Sequence, residues 1–248
     1  MAKQGSMGSN AYVDGYDVGG DVTALGAISG GPAPGDVTPI KKLAFERIGL
    51  VRDGRIDFTS AFNDDNVSAI IGAHQVLKTL PIADRLVSYF HSQTVGATAA
   101  SCVSKQINYD ATRGQDGSLF FGVNAQSNGF GMEWGEQLTA GSKTDTGATN
   151  GASIDYGAVS TLFGWAAYVH LIAFTGTSVT FNVQDSADNA TFATVTGGSF
   201  SAMTAIGGAR LAGATNATVR RYVRIATTGT FTNAVFAVNF VRYLTAQP

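Results

Sequence analysis

The chain has 248 residues, of which 44% are hydrophobic and 14% are charged, and its formal net charge is −2. The hydrophobic content is enough for real cores, which excludes a wholly disordered chain, and the near-zero net charge gives no strong attraction to nucleic acid or anionic lipid. Glycine is abundant, with 31 residues, where average usage predicts roughly 17. Few charges together with many Gly, Thr, Ala and Val residues favour strands joined by tight turns.

The cysteine content and the N-terminal residues indicate the cellular compartment. The sequence has one cysteine, Cys102, so it can form neither an intrachain disulfide nor a cysteine metal cluster. Residues 1–6 lack the apolar core of a signal peptide, and no run of about 18 uncharged apolar residues is present to cross a membrane. We therefore expect synthesis in the cytoplasm and no membrane span.

The first predicted elements are short strands over residues 12–18 and 22–25. The glycine- and proline-rich segment 30–35 predicts a loop, because proline cannot donate a hydrogen bond to a strand ladder. The pair Asp53-Gly54, which lies between two apolar runs, predicts a hairpin turn. The residues after it, 55–62, alternate between polar and apolar and predict a strand.

A helical pattern follows this strand. Apolar residues and one histidine recur at helical spacing, namely Val67, Ile70, Ile71, His74 and Leu77. This stripe predicts a helix over about 65–79, with Asp64 or Asp65 as its cap and Pro81 as its stop. His74 then lies on or beside the buried stripe, and we interpret it as a helical residue with satisfied hydrogen bonds rather than a ligand or a base.

Strands are predicted again over 85–91, 99–109 and 118–124, and a further one over 131–134. The first half therefore predicts a small β-barrel or sandwich with one helix covering a face. Residues 140–153 are small and polar without an apolar period, which predicts a boundary between domains 1–154 and 155–248. The alternative for this segment is a long exposed loop within one domain.

The second half is predicted to be almost purely β. A long apolar run over 163–174 precedes an alternating strand over 179–183, a turn over 185–189 and a strand over 191–195. Further strands over 221–225 and 235–243 are separated by a predicted turn over 227–230. Strands at such short spacing indicate a β-sandwich, immunoglobulin-like or jelly-roll-like.

The search for chemistry finds no catalytic motif. Gly-x-x-x-x-Gly-Lys-Ser/Thr, His-Glu-x-x-His and Gly-x-Ser-x-Gly are all absent. His74, His91 and His170 lie in separate segments without metal-ligand spacing. We therefore predict that the chain is not an enzyme and uses no cofactor or metal.

Two groups of residues allow a second interpretation. The turn Asp185–Asn189 has oxygen-bearing side chains that could suit calcium, but it lacks the spacing of an EF-hand loop and is interpreted as an Asx turn. Four aromatic residues could form a platform for sugar or belong to strand cores, of which we favour the cores: Trp134, Trp165, Tyr168 and Phe181.

The second half also carries a pattern that resembles phage tail proteins. A strand over 174–183 leads into the turn Asp185-Ser186-x-Asp188 and a strand containing Phe192. An Arg221-Tyr222-x-Arg224 strand and a last apolar strand follow. The first half is similar in plan to the major tail tube protein of long-tailed, siphovirus-like bacteriophages, and the passage 52–58 resembles that family's approach to its helix.

This resemblance implies a structural protein of the virion tail, assembled in the host cytoplasm. It implies hexameric rings that stack into a tube for DNA delivery, with the C-terminal sandwich outside. The partners implied are other copies of the chain, a tape measure protein and a tail terminator, while DNA passes through the lumen without specific binding. We expect segments 29–42 and 139–155 to order against a neighbouring subunit. The candidate inter-subunit residues are Gly30, Gly31, Pro32, Pro34, Lys41, Lys42, Lys143 and Asp145.

The alternative to a tube subunit is a capsid decoration or tail-tip protein. In that interpretation residues 155–248 would bind host-surface glycans. A trimer rather than a six-fold ring would favour it.

Overall fold

The structure, a computed structural model, describes residue 5 and residues 7–67, 70–79, 83–157 and 160–246. These residues form fifteen strands and one short helix. The first half contains β1 (Asn10–Val13), β2 (Tyr16–Asp17), β3 (Val22–Asp36), β4 (Arg47–Ala61), β5 (Asn66–Val67), β6 (Ile70–Ile71), α1 (Ala73–Leu77), β7 (Arg85–Phe90), β8 (Thr98–Arg113) and β9 (Leu119–Gln137). The second half contains β10 (Lys143–Asp145), β11 (Asn150–Asp155), β12 (Trp165–Ser186), β13 (Ala193–Ser199), β14 (Gly207–Ala212) and β15 (Tyr222–Arg242). The prediction of a mostly β chain is confirmed.

Thirteen strands belong to one antiparallel sheet, which runs in the order β13-β12-β15-β9-β8-β7-β1-β2. Of the other strands in the sheet, β10 and β11 pair with β15, β14 pairs with β12, β4 pairs with β9, and β3 pairs with β4. The sheet curls over itself, because Leu86 of β7 packs against Ala166 and Tyr168 of β12, although three strands separate β7 from β12 in the sheet order. This layering is of the sandwich type that the sequence predicts.

The longest pair of strands is β12 with β15, in register from Trp165↔Arg242 to Ser186↔Tyr222. The predicted turn over 227–230 is therefore wrong, since these residues continue β15. Gly229 makes this possible: its φ of 120° suits glycine, and a Cβ there would lie 2.3 Å from the carbonyl oxygen of Ser178. Glycine therefore permits the close approach of β12 within a continuous strand and does not mark a turn.

Two large apolar cores lie on the two halves of the chain. In the second half, alternate residues of β12 such as Trp165, Val169 and Phe181 pack with Phe236 and other residues of β15. In the first half, residues of β1, β4, β7, β8 and β9 surround α1. The strand alternation explains this arrangement, because successive side chains point to opposite faces of a sheet. The proposed domain boundary at 154/155 stays a prediction.

The helix is much shorter than predicted. It spans Ala73–Leu77, and residues Asn66–Val67 and Ile70–Ile71 instead pair as two short strands. Neither Asp64 nor Asp65 caps it; the carboxylate of Asp21 accepts a 2.8 Å hydrogen bond from the N–H of Ala73. Pro81, the predicted stop, lies outside the described residues. Because β-branched residues pair readily as strands, the apolar spacing did not specify a helix.

The segment predicted as a loop over 30–35 is part of β3. The sheet tolerates Pro32 and Pro34 because β3 is an edge strand that pairs with β4 alone, and because the register shifts between these two prolines. The predicted turn at Asp53-Gly54 is also wrong, since both residues lie inside β4. A Cβ on Gly54 would lie 2.5 Å from the Cβ of Met132, so glycine permits the close approach of β9 rather than a turn.

The small, polar segment before the second half is largely strand. β10 pairs with β15 at Lys143↔Phe236 and Asp145↔Ala234, and β11 pairs with β15 at Asp155↔Tyr222. The segment therefore adds two edge strands to the second half, and the expectation of a long loop without secondary structure over 139–155 is wrong.

Candidate assembly surfaces

The hairpin of β3 and β4 is attached to the remaining sheet mainly at its base. Each strand has 15 residues, and β9 pairs with β4 only over Arg55–Ala61. In the described sheet, residues 47–54 of β4 pair with β3 alone. At about 3.3 Å per residue, these eight residues extend roughly 25 Å. We refer to β3–β4 as the hairpin and to residues 37–46 as its tip.

Polar groups hold the tip in one shape. Oδ1 of Asp36 accepts hydrogen bonds from the backbone N–H and the hydroxyl of Thr38, at 2.9 and 2.6 Å, and these bonds lower the pKa of Asp36. The Thr38 hydroxyl in turn accepts a 2.8 Å bond from the N–H of Glu46. Lys42 forms a 2.7 Å ion pair with Glu46. The two ends of the tip are thereby joined across the hairpin.

The side chains that the tip presents to solvent are largely apolar. Ile40 and Leu43 are fully exposed, and Phe45 is 68% exposed with the Arg47 guanidinium 4.7 Å from its ring centroid. The apolar surface continues along the hairpin through Val37, Ile48, Leu50 and Val51. Large contiguous apolar patches are uncommon on monomeric proteins and mark contact sites for other molecules. Ile40, Leu43 and Phe45 are not among the residues predicted to contact other subunits, although they form a run of large apolar residues next to Lys41 and Lys42.

The eight candidate inter-subunit residues fall into three places. Gly30, Gly31, Pro32 and Pro34 lie in β3, in the half of the hairpin next to the tip. Lys41 and Lys42 lie on the tip itself. Lys143 and Asp145 lie in β10, far along the chain from the hairpin. Whether any of them contacts another subunit stays a prediction.

Lys143 and Asp145 have partners within the chain. Asp145 is buried, forms an ion pair with Lys143 and accepts a 2.7 Å hydrogen bond from the hydroxyl of Thr227. The Lys143 ammonium also lies 5.5 Å from the ring centroid of Phe236. These contacts attach β10 to β15, which gives both residues a role in the fold.

A cleft of about 670 Å³ lies at the other end of the hairpin, between the two halves of the chain. We refer to it as the cleft. Its lining comes from six separate stretches and includes Tyr16, Asp17, Asp21, Ile71, Ser142, Ile172, Ala173, Ile206 and Val235. Ile172 is the extra residue of a bulge in β12, between the pairs Leu171↔Phe236 and Ala173↔Val235. Bulges redirect side chains, and this one supplies part of the apolar lining.

The cleft combines an apolar lining with acidic groups. Asp17 is exposed and accepts hydrogen bonds from Asn10 and the N–H of Gly19, at 2.9 and 3.1 Å. Asp21 accepts bonds from Asn63 and the N–H of Ala73. The ion pairs formed among the described residues include neither of these two aspartates. No cation of the described part of the chain therefore forms an ion pair with either of them.

A chain of buried hydrogen bonds joins the two halves, and we call it the seam. The N–H of Gly15 donates to Nδ1 of His170 at 3.2 Å, and Nε2 of His170 lies 2.8 Å from the hydroxyl of Ser88. Ser88 is 2.6 Å from Ser101, whose oxygen accepts a 2.8 Å bond from Asn239. A backbone N–H can only donate, so His170 is neutral with its proton on Nε2. Burial lowers the pKa of His170 to about 3.

A second buried network surrounds Glu133 of β9. Its carboxylate accepts hydrogen bonds from the hydroxyls of Tyr168 and Tyr243 and lies 3.3 Å from Nη2 of Arg210. Burial, followed by the charge of Glu133, raises the pKa of Tyr168 well above its ordinary value. The Arg210 guanidinium also lies 4.0 Å from the ring centroid of Phe130. This network joins β9 to β12, β14 and β15.

The preferred interpretation of the aromatic residues is confirmed for three of the four. Trp165, Tyr168 and Phe181 are fully buried and cannot form a platform for sugar. Trp134 is 49% exposed. Glycan binding by residues 155–248 through other side chains stays a prediction.

The turn interpretation is confirmed for residues 187–189, whereas Asp185 and Ser186 are the last residues of β12. The Asp188 carboxylate accepts bonds from the Ser186 hydroxyl, at 2.7 Å, and from the N–H groups of Ala190 and Thr191, at 3.0 and 2.9 Å. These bonds, led by that of Ser186, lower the pKa of Asp188. Asp185 forms an ion pair with Arg220. Among the described residues, no group of three His, Cys, Asp or Glu side chains could hold a metal ion.

His74, which the sequence places on a buried stripe, is half-buried on α1. Its Nδ1 contacts the hydroxyl of Tyr109, and its ring lies 4.5 Å from that of Phe62. Within the part of the chain that the structure describes, no helix is long and apolar enough to span a membrane.

Comparisons with known proteins give no family assignment. No family model matches the chain, and no curated protein matches it. One similar solved structure is the SPP1 Dit (gp 19.1) protein, described as a paradigm of the hub adsorption apparatus in phages that infect Gram-positive hosts. The two sequences are 10% identical and the TM-score is 0.34; the comparison covers 94% of this chain and 99% of that chain. Another is from the phage P2 baseplate in its activated conformation with Ca, with 10% identity, a TM-score of 0.34, and 96% and 99% covered. Both come from phages, but at this TM-score neither carries an argument about this chain.

Proposed function

We propose that the chain is a structural subunit of a phage tail that polymerises, as stacked hexameric rings, into a tail tube. The observation that carries the proposal is the projecting hairpin with its exposed apolar tip. Leaving Ile40, Leu43 and Phe45 in water is unfavourable for an isolated subunit, and contact with a neighbour removes that cost. The low charge of the chain suits close packing of identical copies.

Two further features support this function. The second half resembles phage tail proteins in its Asp185-Ser186-x-Asp188 turn and its Arg221-Tyr222-x-Arg224 strand. In addition, β3 is an edge strand without a second neighbour in the described sheet. Association of subunits can cover such an edge, which otherwise templates uncontrolled pairing. A tape measure protein, a tail terminator and passing DNA belong to this proposal as partners.

The test is electron microscopy of the purified full-length protein, combined with its mass by light scattering. We expect six-fold rings or hollow tubes for the unmodified chain. A variant with Ile40→Ser, Leu43→Ser and Phe45→Ser should remain folded by circular dichroism but should not form tubes. Leu162→Ser is the matched control, because Leu162 is 62% exposed but lies outside the hairpin. It should assemble normally.

Other outcomes of this experiment would favour the alternative functions. Rings that never stack at any concentration would favour the tail-tip protein, in which one ring docks at the end of a tail. A stable trimer would favour a capsid decoration protein. Tubes of normal length from the triple variant would contradict the role of the tip.

A further inference from the structure

We propose that the tip of one subunit inserts into the cleft of the next copy of the chain. The proposal rests on the proposed function, since it assigns the surface that receives the tip. It is carried by three observations: the tip and the cleft lie at opposite ends of one hairpin, their surfaces are both partly apolar, and their charges are complementary.

The positions of the two surfaces exclude a contact within one subunit. Asp21, in the cleft, accepts a 2.8 Å hydrogen bond through its backbone oxygen from the N–H of Ala61, the last residue of β4. The tip precedes Arg47, the first residue of β4. Strands of 15 residues separate the two ends by on the order of 45 Å. The tip of a subunit can therefore reach a cleft only on another copy.

The tip and the cleft are both partly apolar, and the cleft has room for side chains of the tip. The tip presents Ile40 and Leu43 in full exposure, and the cleft offers Ile172, Ala173 and Val235 with Ile206 at its rim. A volume of about 670 Å³ lies in the range of roughly 300–1,000 Å³ that is typical of binding pockets, which is enough for a few side chains. Insertion would remove both apolar surfaces from water.

The charges favour the same pairing. Lys41 is exposed and has no ion-pair partner among the described residues, whereas the neighbouring Lys42 is paired with Glu46. The cleft contains Asp17 and Asp21, neither of which forms an ion pair with a described residue of its own subunit. Opposite charges on two docking surfaces select partner and orientation. Lys41 is thus the cation of the tip that is available for the acidic side of the cleft.

This contact joins different surfaces of two identical subunits, so it is heterologous. Each bound subunit still has one free tip and one free cleft, and the contact therefore repeats along the direction of the hairpin. A contact of tip with tip would instead close after two copies. The proposal consequently predicts the outcome of mixing variants that lack one surface each.

The experiment uses two full-length variants. The tip variant carries Ile40→Ser and Leu43→Ser, and the cleft variant carries Ile206→Arg, which places a bulky cation at the cleft rim. Leu162→Arg is the control for an arginine at an exposed apolar position elsewhere in the second half. Circular dichroism and thermal unfolding establish that each variant is folded, and light scattering gives the masses.

We expect neither variant alone to stack, while the Leu162→Arg control stacks as the unmodified chain does. An equal mixture of tip and cleft variants should give a species of twice the mass of either one and nothing larger, because a single junction can form. Stacking by the cleft variant alone, or no association in the mixture, would overturn the inference but leave the proposed function intact. Failure of the unmodified chain to associate at any concentration would overturn both.

Disulfide trapping provides a second measurement if Ile206→Arg does not fold. A variant with Leu43→Cys and Ile206→Cys should form ladders of cross-linked subunits under mild oxidation. The control pairs Leu43→Cys with Leu162→Cys and should not. Cys102 is fully buried and does not compete. Ladders that form equally in both variants, or in neither, would contradict insertion into the cleft.

Discussion

The seam and the tip reverse the usual distribution of side chains. The seam buries Ser88, Ser101, His170 and Asn239 completely, whereas the tip leaves large apolar residues in water. Each of these four side chains makes a hydrogen bond within the chain, although Oδ1 of Asn239 has no partner among the described residues, and the bonds orient the two halves relative to each other. The apolar residues of the tip have no such covering. The difference agrees with a seam that serves folding and with the proposal that the tip serves association.

The largest expected effect is the difference in stability between two Phe→Ala substitutions, one in the second core and one on the tip. Phe240→Ala removes a fully buried ring from the second core and should lower the free energy of unfolding by about 3–5 kcal/mol. Phe45→Ala removes an exposed ring and should change it by less than about 1 kcal/mol. Chemical denaturation checks both values.

Protein concentration must be kept low in that measurement, because association raises the apparent stability of the folded chain. Electron microscopy at high protein concentration then measures tube formation. Phe45→Ala should impair tube formation although its free energy of unfolding is nearly unchanged. A loss of several kcal/mol in Phe45→Ala would show that the tip belongs to the folding core, contrary to the comparison.

Sequence patterns predicted well those elements that local alternation determines. Val179, Phe181 and Val183 alternate with polar residues, and they form a strand with one buried face. Local signals failed where a distant segment decides the conformation. Gly54 permits the approach of Met132, and Gly229 permits the approach of the Ser178 backbone. In each case, the glycine signal was real, but the turn was the wrong interpretation of it.

The candidate surfaces were predictable to different degrees. The candidate residues Lys41 and Lys42 lie on the tip, and Pro32 and Pro34 lie in β3 where a loop was predicted; their contact with another subunit stays a prediction. The cleft was not predictable, because its lining comes from residues as distant in sequence as Tyr16 and Val235. The seam was hidden for the same reason: His170 interrupts an apolar run, and only the fold supplies Gly15 and Ser88 as its partners.

The second prediction concerns the pH dependence that the seam imposes. Folded His170 has a pKa of about 3, against an ordinary value of 6.5. Below pH 6.5 the unfolded chain therefore binds a proton that the folded chain does not, and stability falls as the pH falls toward 3. Each pH unit in this window corresponds to about 1.4 kcal/mol, so lowering the pH to 5 should cost about 2 kcal/mol.

His170→Gln separates this contribution from those of the other titrating groups. Glutamine can accept from Gly15 and donate to Ser88 but does not titrate. Denaturation at pH 7 and pH 5 should give a smaller loss for His170→Gln than for the unmodified chain, by about 2 kcal/mol. The carboxylates and other histidines are common to both proteins. An equal loss in both would mean that His170 is not held neutral in the seam.

The smallest expected effect compares two adjacent lysines of the tip. Lys41→Ala and Lys42→Ala should each change the free energy of unfolding by less than about 0.5 kcal/mol, because both side chains are at the surface. Their effects on association should differ. Lys41 forms no ion pair with a described residue of its own subunit and is available to the acidic cleft, whereas Lys42 is paired with Glu46. A rim ion pair contributes up to about 1 kcal/mol, so Lys41→Ala should weaken association up to about fivefold and Lys42→Ala less.

Sedimentation at low and high salt checks this prediction, since screening by salt should abolish the difference in association between the two variants. If Lys42→Ala proves the more damaging, the order of the tip, which the Lys42–Glu46 pair supports, matters more for association than the free charge of Lys41.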